Sequence, residues 1–156
     1  MTAIPTKSCD APAPDRTDLA ARAMGALERV CSGAGLDPAS RYYAPDFADH
    51  VNDLVFRGLA GTQQSVALYT RVLDDLAVTV KEQVVEGDRV TSRFVVSGTH
   101  RGRAVRFGGI TISRFEHGLI VEDWSVVDTL SMLRQIGVLG AARLAFAQWR
   151  TIARAR

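Results

Sequence analysis

The most informative part of the chain is RFGGITISRFEHGLIVEDWSVVDTLSMLRQIG, residues 106–137, where two strand patterns meet at a tight turn and lead into a helix. Its first half alternates with the period of two typical of a strand, up to His117-Gly118, which is typical of a two-residue hairpin turn. A second predicted strand then places Trp124, Val126 and Asp128 on one face and Asp123, Ser125 and Val127 on the other. We expect the face with Trp124 to point inwards, because an acid beside a large indole is typical of a small-molecule pocket.

Length and composition predict one ordinary globular domain. A chain of 156 residues is the size of a single domain, and it contains 47% hydrophobic and 23% charged residues with a net charge of +2. This balance argues against a nucleic-acid binder. Neither Cys9 nor Cys31 has a His or another Cys at metal-ligand spacing, so we expect no metal site and a reduced, intracellular protein.

The two ends of the chain differ from its centre. Residues 1–16 are rich in proline and polar residues, and we expect a disordered leader without the apolar run of an export signal. No apolar stretch reaches the roughly 20 residues that span a membrane, which predicts a cytoplasmic protein. Residues 139–156 predict a basic amphipathic helix that closes the pocket or joins two subunits; contact with an acidic membrane surface is the alternative.

Between these ends, residues 17–138 show helical patterns first and strand patterns afterwards. A helix is predicted from Asp18 to Cys31, with Thr17 or Asp18 as its N-cap, and another over residues 62–76. Strands are predicted over residues 77–85, 89–98, 105–115 and 119–127. This order predicts an α+β domain in which helices cover one face of a curved antiparallel sheet.

Several short motifs together carry a family resemblance. They are Tyr43-Ala44-Pro45-Asp46-Phe47, Asp49-His50, Glu86-Gly87-Asp88-Arg89-Val90, Gly98-Thr99-His100-Arg101-Gly102, the run Arg114 to Trp124, and Leu133-Arg134-Gln135-Ile136-Gly137. In this order and spacing they resemble the SnoaL-like polyketide cyclase family. The resemblance implies the nuclear-transport-factor-2-like cone, in which a curved sheet and helices enclose an apolar cavity, and it implies a homodimer.

The resemblance also implies a chemistry without metal or organic cofactor. The cyclases of this family close rings by intramolecular aldol chemistry, with a carboxylate on the last strand as acid and base and a cavity that shapes a small apolar polyketide-like substrate. Many members carry Asp directly after the Trp of that strand, where this chain has Ser125. The polar partner on the neighbouring strand corresponds to Thr111, again a hydroxyl.

A second relative of the fold, the limonene-epoxide-hydrolase group, uses an Arg between two Asp residues. Arg93 stands at the position of that Arg, but Val95 and Ser125 stand where the two Asp residues are expected. The absence of both acids predicts either a reaction driven mainly by cavity shape or a carboxylate displaced to another position.

The candidate catalytic residues are Asp128 and His50. A partly buried Asp128 would have a pKa raised towards a useful range, but it could instead cap the helix that starts at Thr129. His50 could carry a second proton at the cavity mouth, or it could be a surface residue. We expect Asp123 to face solvent, paired with an Arg of a neighbouring strand.

The candidate substrate-binding residues are polar or aromatic. They are Arg93, Thr111, Ser125, Trp124, Tyr69, Phe107 and Asn52. Arg93 could hold a substrate oxygen or form a surface ion pair, and the three aromatic residues could line a cavity or fill the core. The sequence thus predicts a cofactor-independent cyclase; the alternatives are a ligand-binding or dimerisation module of the same fold, an epoxide-opening relative, and a pericyclic cyclase.

Overall fold

The computed structural model describes residues 15–33, 37–137 and 142. Along the chain they form α1 (Arg16–Gly25), a π-helical turn (Ala26–Val30), a 3-10 turn (Ala39–Arg41), β1 (Tyr43–Val51), β2 (Leu54–Arg57), α2 (Gly58–Thr70), β3 (Asp74–Glu86), β4 (Arg89–His100), β5 (Arg103–Glu116), β6 (Leu119–Val127) and α3 (129–137). Helices come first and the meander follows, which confirms the predicted α+β class.

The six strands form one sheet in the order β2-β1-β6-β5-β4-β3. The pairings within the meander β3 to β6 are antiparallel, as predicted. The pairing of β1 with β6 is parallel, so the sheet is not antiparallel throughout. This pairing brings an early strand beside the last one, and the two strands supply the acidic residues described below.

The helix boundaries differ from the prediction in two places. The N-cap of α1 is Asp15, whose carboxylate accepts a hydrogen bond of 3.0 Å from the backbone N–H of Thr17. α2 spans Gly58–Thr70 instead of residues 62–76, because Gly58 takes a positive φ of 67° and starts the helix directly after β2.

The two terminal predictions fall almost entirely outside the described residues. Of the predicted leader, residues 1–16, only Asp15 and Arg16 are described, and they form the cap and the first residue of α1. Of the predicted basic helix, residues 139–156, only residue 142 is described. Within the described part of the chain, no helix is long and apolar enough to cross a membrane.

The hairpin between β5 and β6 forms as its sequence predicts. His117 and Gly118 have φ values of 50° and 79°. Two successive positive φ angles are the signature of the type I′ turn, whose twist matches that of the flanking strands.

A β-bulge at Val121 interrupts the pairing that follows this turn. Phe115 pairs with Ile120 and Arg114 pairs with Glu122, so Val121 has no opposite residue. One extra residue reverses the alternation of side chains between the two faces of a strand. The inward positions of β6 are therefore Ile120 before the bulge and Asp123, Ser125 and Val127 after it.

The bulge overturns the expected orientation of β6. Asp123 is only 6% exposed, whereas Val126, on the face that was expected to point inwards, is 71% exposed. The expectation was wrong because it continued the alternation set by Ile120 through the strand without a break.

The interior holds two apolar clusters. One lies between the N-terminal helix and the hairpin end of the sheet and is centred on Leu19, Phe47 and Ile120, which are at most 1% exposed. The larger one lies between α2, α3 and the inner face of the sheet, with Phe94, Phe107 and Met132 among its members. Burial of these side chains contributes about 1.5–3 kcal/mol for each.

A contact between Phe94 and Gly109 shapes the wall of the larger cluster. The two residues are opposite each other on β4 and β5, and the Phe94 ring lies across the glycine. A Cβ atom at Gly109 would come within 2.5 Å of that ring. Glycine is required here because any side chain would displace the ring.

Gly109→Ala should therefore destabilise the fold by about 1–3 kcal/mol, the usual cost of overpacking. Gly108→Ala is the matched control, since a Cβ there would meet its nearest neighbour at 3.8 Å, an ordinary contact. Urea unfolding of both variants measures the difference. Equal stability of the two variants would contradict this account of the wall.

Candidate active site

A cavity of about 70 Å³ lies between the inner face of the sheet and the helices. Its lining is mostly aliphatic and aromatic, with two carboxyl groups among it. The lining residues are Leu27, Cys31, Tyr43, Asp49, Val51, Ser65, Val66, Tyr69, Leu76, Val78, Phe94, Val96, Asp123, Ser125 and Val127. Polar side chains within an apolar cavity are the usual composition of a small-molecule site.

Asp49 and Asp123 are side by side in this cavity. They occupy the same register position on β1 and β6, which are neighbouring parallel strands, and both side chains point inwards. Asp49 is 8% exposed and Asp123 is 6% exposed. Ionisation of both buried carboxyl groups at once is unfavourable, because each carboxylate lacks water around it and repels the charge of the other.

Burial, and to a smaller extent the negative charge of Asp49, raise the pKa of Asp123 to about 8. The hydroxyl of Ser113, directly opposite on β5, acts in the other direction. Among the described residues, no group hydrogen-bonds the Oδ1 atom of Asp123. Asp123 is therefore largely protonated near neutral pH and has an oxygen atom available to a ligand.

Burial also raises the pKa of Asp49, to about 6. The hydroxyl of Ser65 on α2 and the charge of His50 on the outer face both favour the ionised form and limit the rise. At neutral pH Asp49 is therefore mostly ionised while Asp123 is mostly neutral. The pair thus offers a proton acceptor and a proton donor at adjacent positions.

Besides Ser113, two further hydroxyl groups lie near the acids on the same face of the sheet. Ser125 lines the cavity and donates a hydrogen bond of 2.8 Å to the Oγ1 atom of Thr111, which is fully buried. The structure thus brings together these two predicted binding residues. Their bond to each other positions the Ser125 hydroxyl, whose oxygen can still accept a hydrogen bond.

Asp128 lies outside the cavity. It is exposed, and its Oδ1 atom accepts a hydrogen bond of 2.9 Å from the backbone N–H of Ser131, in the first turn of α3. This bond is the N-cap that the sequence offered as the alternative. A catalytic role for Asp128 stays a prediction, which the position of its side chain does not support.

His50 and Trp124 lie on the outer face of the sheet. Their rings stack with centroids 5.8 Å apart, and the His50 Nε2 atom donates a hydrogen bond of 3.0 Å to Glu122. The guanidinium of Arg89 covers the Trp124 ring at 5.6 Å from its centroid. Neither His50 nor Trp124 contributes to the cavity lining that the structure describes.

Arg93 also lies on the outer face. It forms an ion pair with Glu82, with an N–O distance of 2.6 Å. Its position is therefore that of the surface ion pair which the sequence left open beside a substrate contact. Consequently the described residues do not assemble an Arg between two acids inside the cavity.

The remaining predicted binding residues border the cavity. Tyr69 lines it and contacts Phe107, which lies in the core with the two ring centroids 6.0 Å apart. Asn52 lies in the turn after β1, where its Oδ1 atom accepts a hydrogen bond of 3.1 Å from the Val127 N–H and fixes the end of β6. Two of these three therefore have structural roles, and Tyr69 is placed to contact a ligand.

A wider groove of about 790 Å³ adjoins the cavity. Val51, Tyr69 and Val127 line both spaces, so they form the boundary between groove and cavity. Asn52 and Asp128 belong to the rim of the groove. A substrate larger than the cavity could place its reacting end against the two acids and its remainder in the groove.

The sequence and the fold were compared with those of known proteins. A model of the SnoaL-like polyketide cyclase family matches residues 21–136. The chain belongs to this family. No curated protein matches the sequence.

Several solved structures share the fold of this chain. A proposed polyketide cyclase from Bacillus cereus ATCC 10987 superimposes with a TM-score of 0.69 at 23% identity, over 78% of this chain and 81% of that one. IdmH from Streptomyces antibioticus, also a proposed polyketide cyclase, gives 0.64 at 26% identity, over 80% and 99% of the two chains. TsrD from Streptomyces laurentii gives 0.63 at 27% identity, over 79% and 97%.

Membership of this family draws attention to position 125, where this chain has a serine in place of the expected acid. The resemblance implies an acid directly after the Trp, where this chain has Ser125, but Asp123 lies two residues earlier on the same inward face. The alternative of a displaced carboxylate therefore matches the position of Asp123. The pairing of Asp49 with it could not be inferred without knowing that β1 and β6 are neighbours.

Within the described ranges, no group of three or more His, Cys, Asp or Glu residues is arranged to hold a metal ion. His100, which belongs to one of the motifs of the family resemblance, is only 8% exposed; its Nδ1 atom donates a hydrogen bond of 2.6 Å to the carbonyl of Val72. It supports the end of β4 and is not among the residues lining the cavity.

The raised pKa of Asp123 makes stability depend on pH. The folded protein retains a proton that the unfolded chain, with the usual pKa of 3.8, loses, so stability falls as the pH rises from about 4 to about 8. Asp123→Asn removes this proton linkage. The variant should gain stability over the wild type as the pH rises, by up to about 1.4 kcal/mol per pH unit.

Urea unfolding at pH 5, 6, 7 and 8 tests this expectation. Asp46→Asn, which changes an exposed carboxylate on the same strand as Asp49, should leave the pH dependence of the wild type unaltered. A constant difference between Asp123→Asn and the wild type across this range would contradict the raised pKa.

Proposed function

We propose that this protein is a cofactor-independent cyclase that closes a ring in an uncharged, polyketide-type carbonyl compound. Asp123 is the catalytic acid of this proposal. One observation carries it: a deeply buried carboxyl group, with no hydrogen-bond partner on Oδ1 among the described residues, lines the cavity on β6, the strand where the family resemblance implies a catalytic acid.

The protonation state of Asp123 suits this role. Since burial and the neighbouring charge raise its pKa to about 8, the carboxyl group is mostly neutral at physiological pH and can donate its proton to a carbonyl oxygen. A proton donated in an apolar cavity stabilises the charge that develops on that oxygen during ring closure. The Ser125 hydroxyl, held by Thr111, is placed to orient the same substrate.

The sizes of the two spaces suggest how a polyketide-type chain could bind. The cavity of about 70 Å³ accommodates only the reacting end, while the adjoining groove of about 790 Å³ can hold the rest. Folding the chain at the boundary, beside Tyr69, would bring the reacting carbons together, which is the main contribution of a shaped site to an intramolecular reaction. The likeness to IdmH, described as a proposed polyketide cyclase, supports this substrate class.

The experiment that tests the proposal is the turnover of a cyclisable polyketide-type substrate by the Asp123→Asn variant. Loss of the proton donor should lower kcat by about 100-fold or more, the usual contribution of general acid catalysis. The Asn side chain keeps the size and much of the polarity of Asp, so folding should be preserved. Unchanged turnover would overturn the assignment of Asp123 as the acid, whereas absence of turnover by the wild type would favour the alternative of a non-catalytic ligand-binding module.

Asp128→Asn is the matched control for this variant. Asn caps a helix about as well as Asp, so both stability and kcat should stay within experimental error of the wild type. Asp128→Ala removes the cap and should cost about 1 kcal/mol of stability without changing kcat. A large loss of kcat in Asp128→Asn would instead assign the role of the catalytic acid to Asp128.

We propose further that the protein forms a homodimer through the outer face of its sheet. A continuous row of paired residues crosses this face from one edge to the other: Val55, His50, Trp124, Ile112, Thr91 and Val84. Beside it, Val126 is 71% exposed and Ile110 is 48% exposed. Four of the six members of this row are apolar, as are Val126 and Ile110 beside it, and an exposed apolar patch is typical of an interaction surface.

Val126→Arg should disrupt this dimer, because it places a charge beside the apolar residues of the proposed interface. Sedimentation equilibrium should give twice the mass of one chain for the wild type and a marked shift towards the single-chain mass for the variant. Met24→Arg, an equivalent change at an exposed apolar residue on α1, should leave the mass unchanged. A monomeric wild type would refute the proposed interface.

A further inference from the structure

The carboxyl group of Asp49 is a second buried acid for which the single-acid cyclase mechanism has no role. It lies at the same register position as Asp123 on the adjacent strand, and both side chains enter the same cavity. The Asp49 residue is only 8% exposed, so bulk water hardly solvates its carboxylate. Ionisation at this position is therefore unfavourable unless another group compensates for the charge. A buried carboxylate beside another is costly unless the two share a proton.

We infer that Asp49 and Asp123 share one proton and act as an acid–base pair, and that their cavity selects uncharged carbonyl groups over carboxylates. This inference rests on the proposed cyclase function and extends it to a second catalytic residue and to the charge of the ligand. The pair holds one negative charge near neutral pH, with the proton mainly on Asp123.

The other groups around the pair do not alter this charge. Burial raises the pKa of the Cys31 thiol to about 12 and raises the pKa values of the Tyr43 and Tyr69 hydroxyls, so all three stay neutral near pH 7. β3 and β4 contribute only apolar side chains to the lining, and no Lys, Arg or His is among the lining residues in the described part of the chain. His50 acts on Asp49 from the outer face, where it is paired with Glu122, and favours the ionised form.

The charge of the pair determines which ligands can enter. A carboxylate placed beside it would bring a second negative charge into a mostly apolar space without a cation to balance it, which is strongly unfavourable. A ketone brings no charge, and its oxygen can accept the proton of Asp123 at the unpartnered Oδ1 atom. The cavity should therefore discriminate between molecules of equal shape by their charge.

In an aldol closure the two acids have complementary roles. Asp49 takes a proton from the carbon next to one carbonyl group, and the electron pair left on that carbon forms the new bond to a second carbonyl carbon. The π electrons of that second carbonyl group move to its oxygen, which takes the proton of Asp123. Asp49 then holds one proton and Asp123 none, so transfer of that proton between the neighbours restores the starting state and no net proton is gained or lost.

Carbon-13 NMR of protein labelled at the aspartate carboxyl carbons tests the pair without any substrate. In the wild type, both carboxyl signals should respond to two titration steps, near pH 6 and pH 8, since coupled groups titrate together. Asp49→Asn should lower the pKa of Asp123 by about one unit or more, because the neighbouring charge is lost. Asp46→Asn should leave it unchanged.

A shared proton is ruled out if the Asp123 carboxyl signal shows a single titration step that does not depend on the ionisation of Asp49. The wild-type titration alone shows this, so the test does not depend on the folding of the variant. In that case Asp123 remains available as a lone acid, and the cyclase proposal stands on the turnover of Asp123→Asn. Coupled titration together with full turnover by Asp123→Asn would retain the shared proton and refute the catalytic role of Asp123, and coupled titration with no turnover by the wild type would retain the shared proton and refute the cyclase.

Butanone and propionate, which have the same shape and differ in charge, test the ligand class. Chemical-shift titration at pH 7, followed on the methyl groups of Val51 and Val127, should show butanone binding at least about tenfold more tightly than propionate. In the Asp49→Asn/Asp123→Asn double variant the preference should disappear. Equal or tighter binding of propionate by the wild type would overturn the predicted selectivity.

Discussion

The bulge at Val121 is the constraint on which the site depends. It reverses the alternation of β6 and turns Asp123 into the interior, directly beside Asp49 on the parallel neighbour β1. Without the extra residue, Asp123 would lie on the outer face and Trp124 would fill the cavity. One irregularity in the backbone therefore decides whether this strand presents an acid or an indole to a ligand, because every later side chain of the strand follows from it.

The sequence predicts the fold better than it predicts the site, for a physical reason. Strand periodicity, the His117-Gly118 turn and the order of helices and strands are local signals, and the structure confirms them. The pairing of β1 with β6 joins residues 49 and 123, which are far apart in the chain, so no local pattern reveals it. The bulge is equally hidden, because it arises from the mismatch between two strands and not from either one alone.

The position of the acids can still be rationalised from particular residues. In the sequence, the absence of an acid at position 125 left a displaced carboxylate as one of two alternatives, and Asp123 is the acid that lies nearest on the same face. His50 was selected for its chemistry, whereas its neighbour Asp49 has the buried position. On β1 the candidate lies one residue from the buried acid, which is the smallest displacement that exchanges the inside of a sheet for its outside. On β6 the candidate, Asp128, lies just beyond the end of the strand.

The contact of Phe94 with Gly109 has a consequence for how such cavities change between related proteins. The ring can lie this close to the backbone of β5 because residue 109 has a hydrogen atom where other residues carry a Cβ atom. The volume of the cavity thus depends on Gly109, which lies behind the Phe94 ring and is not among the residues that line the cavity. Relatives could acquire different substrates through exchanges at this concealed position while every residue in contact with the ligand stays the same, so a comparison of the contacting residues alone would miss the change.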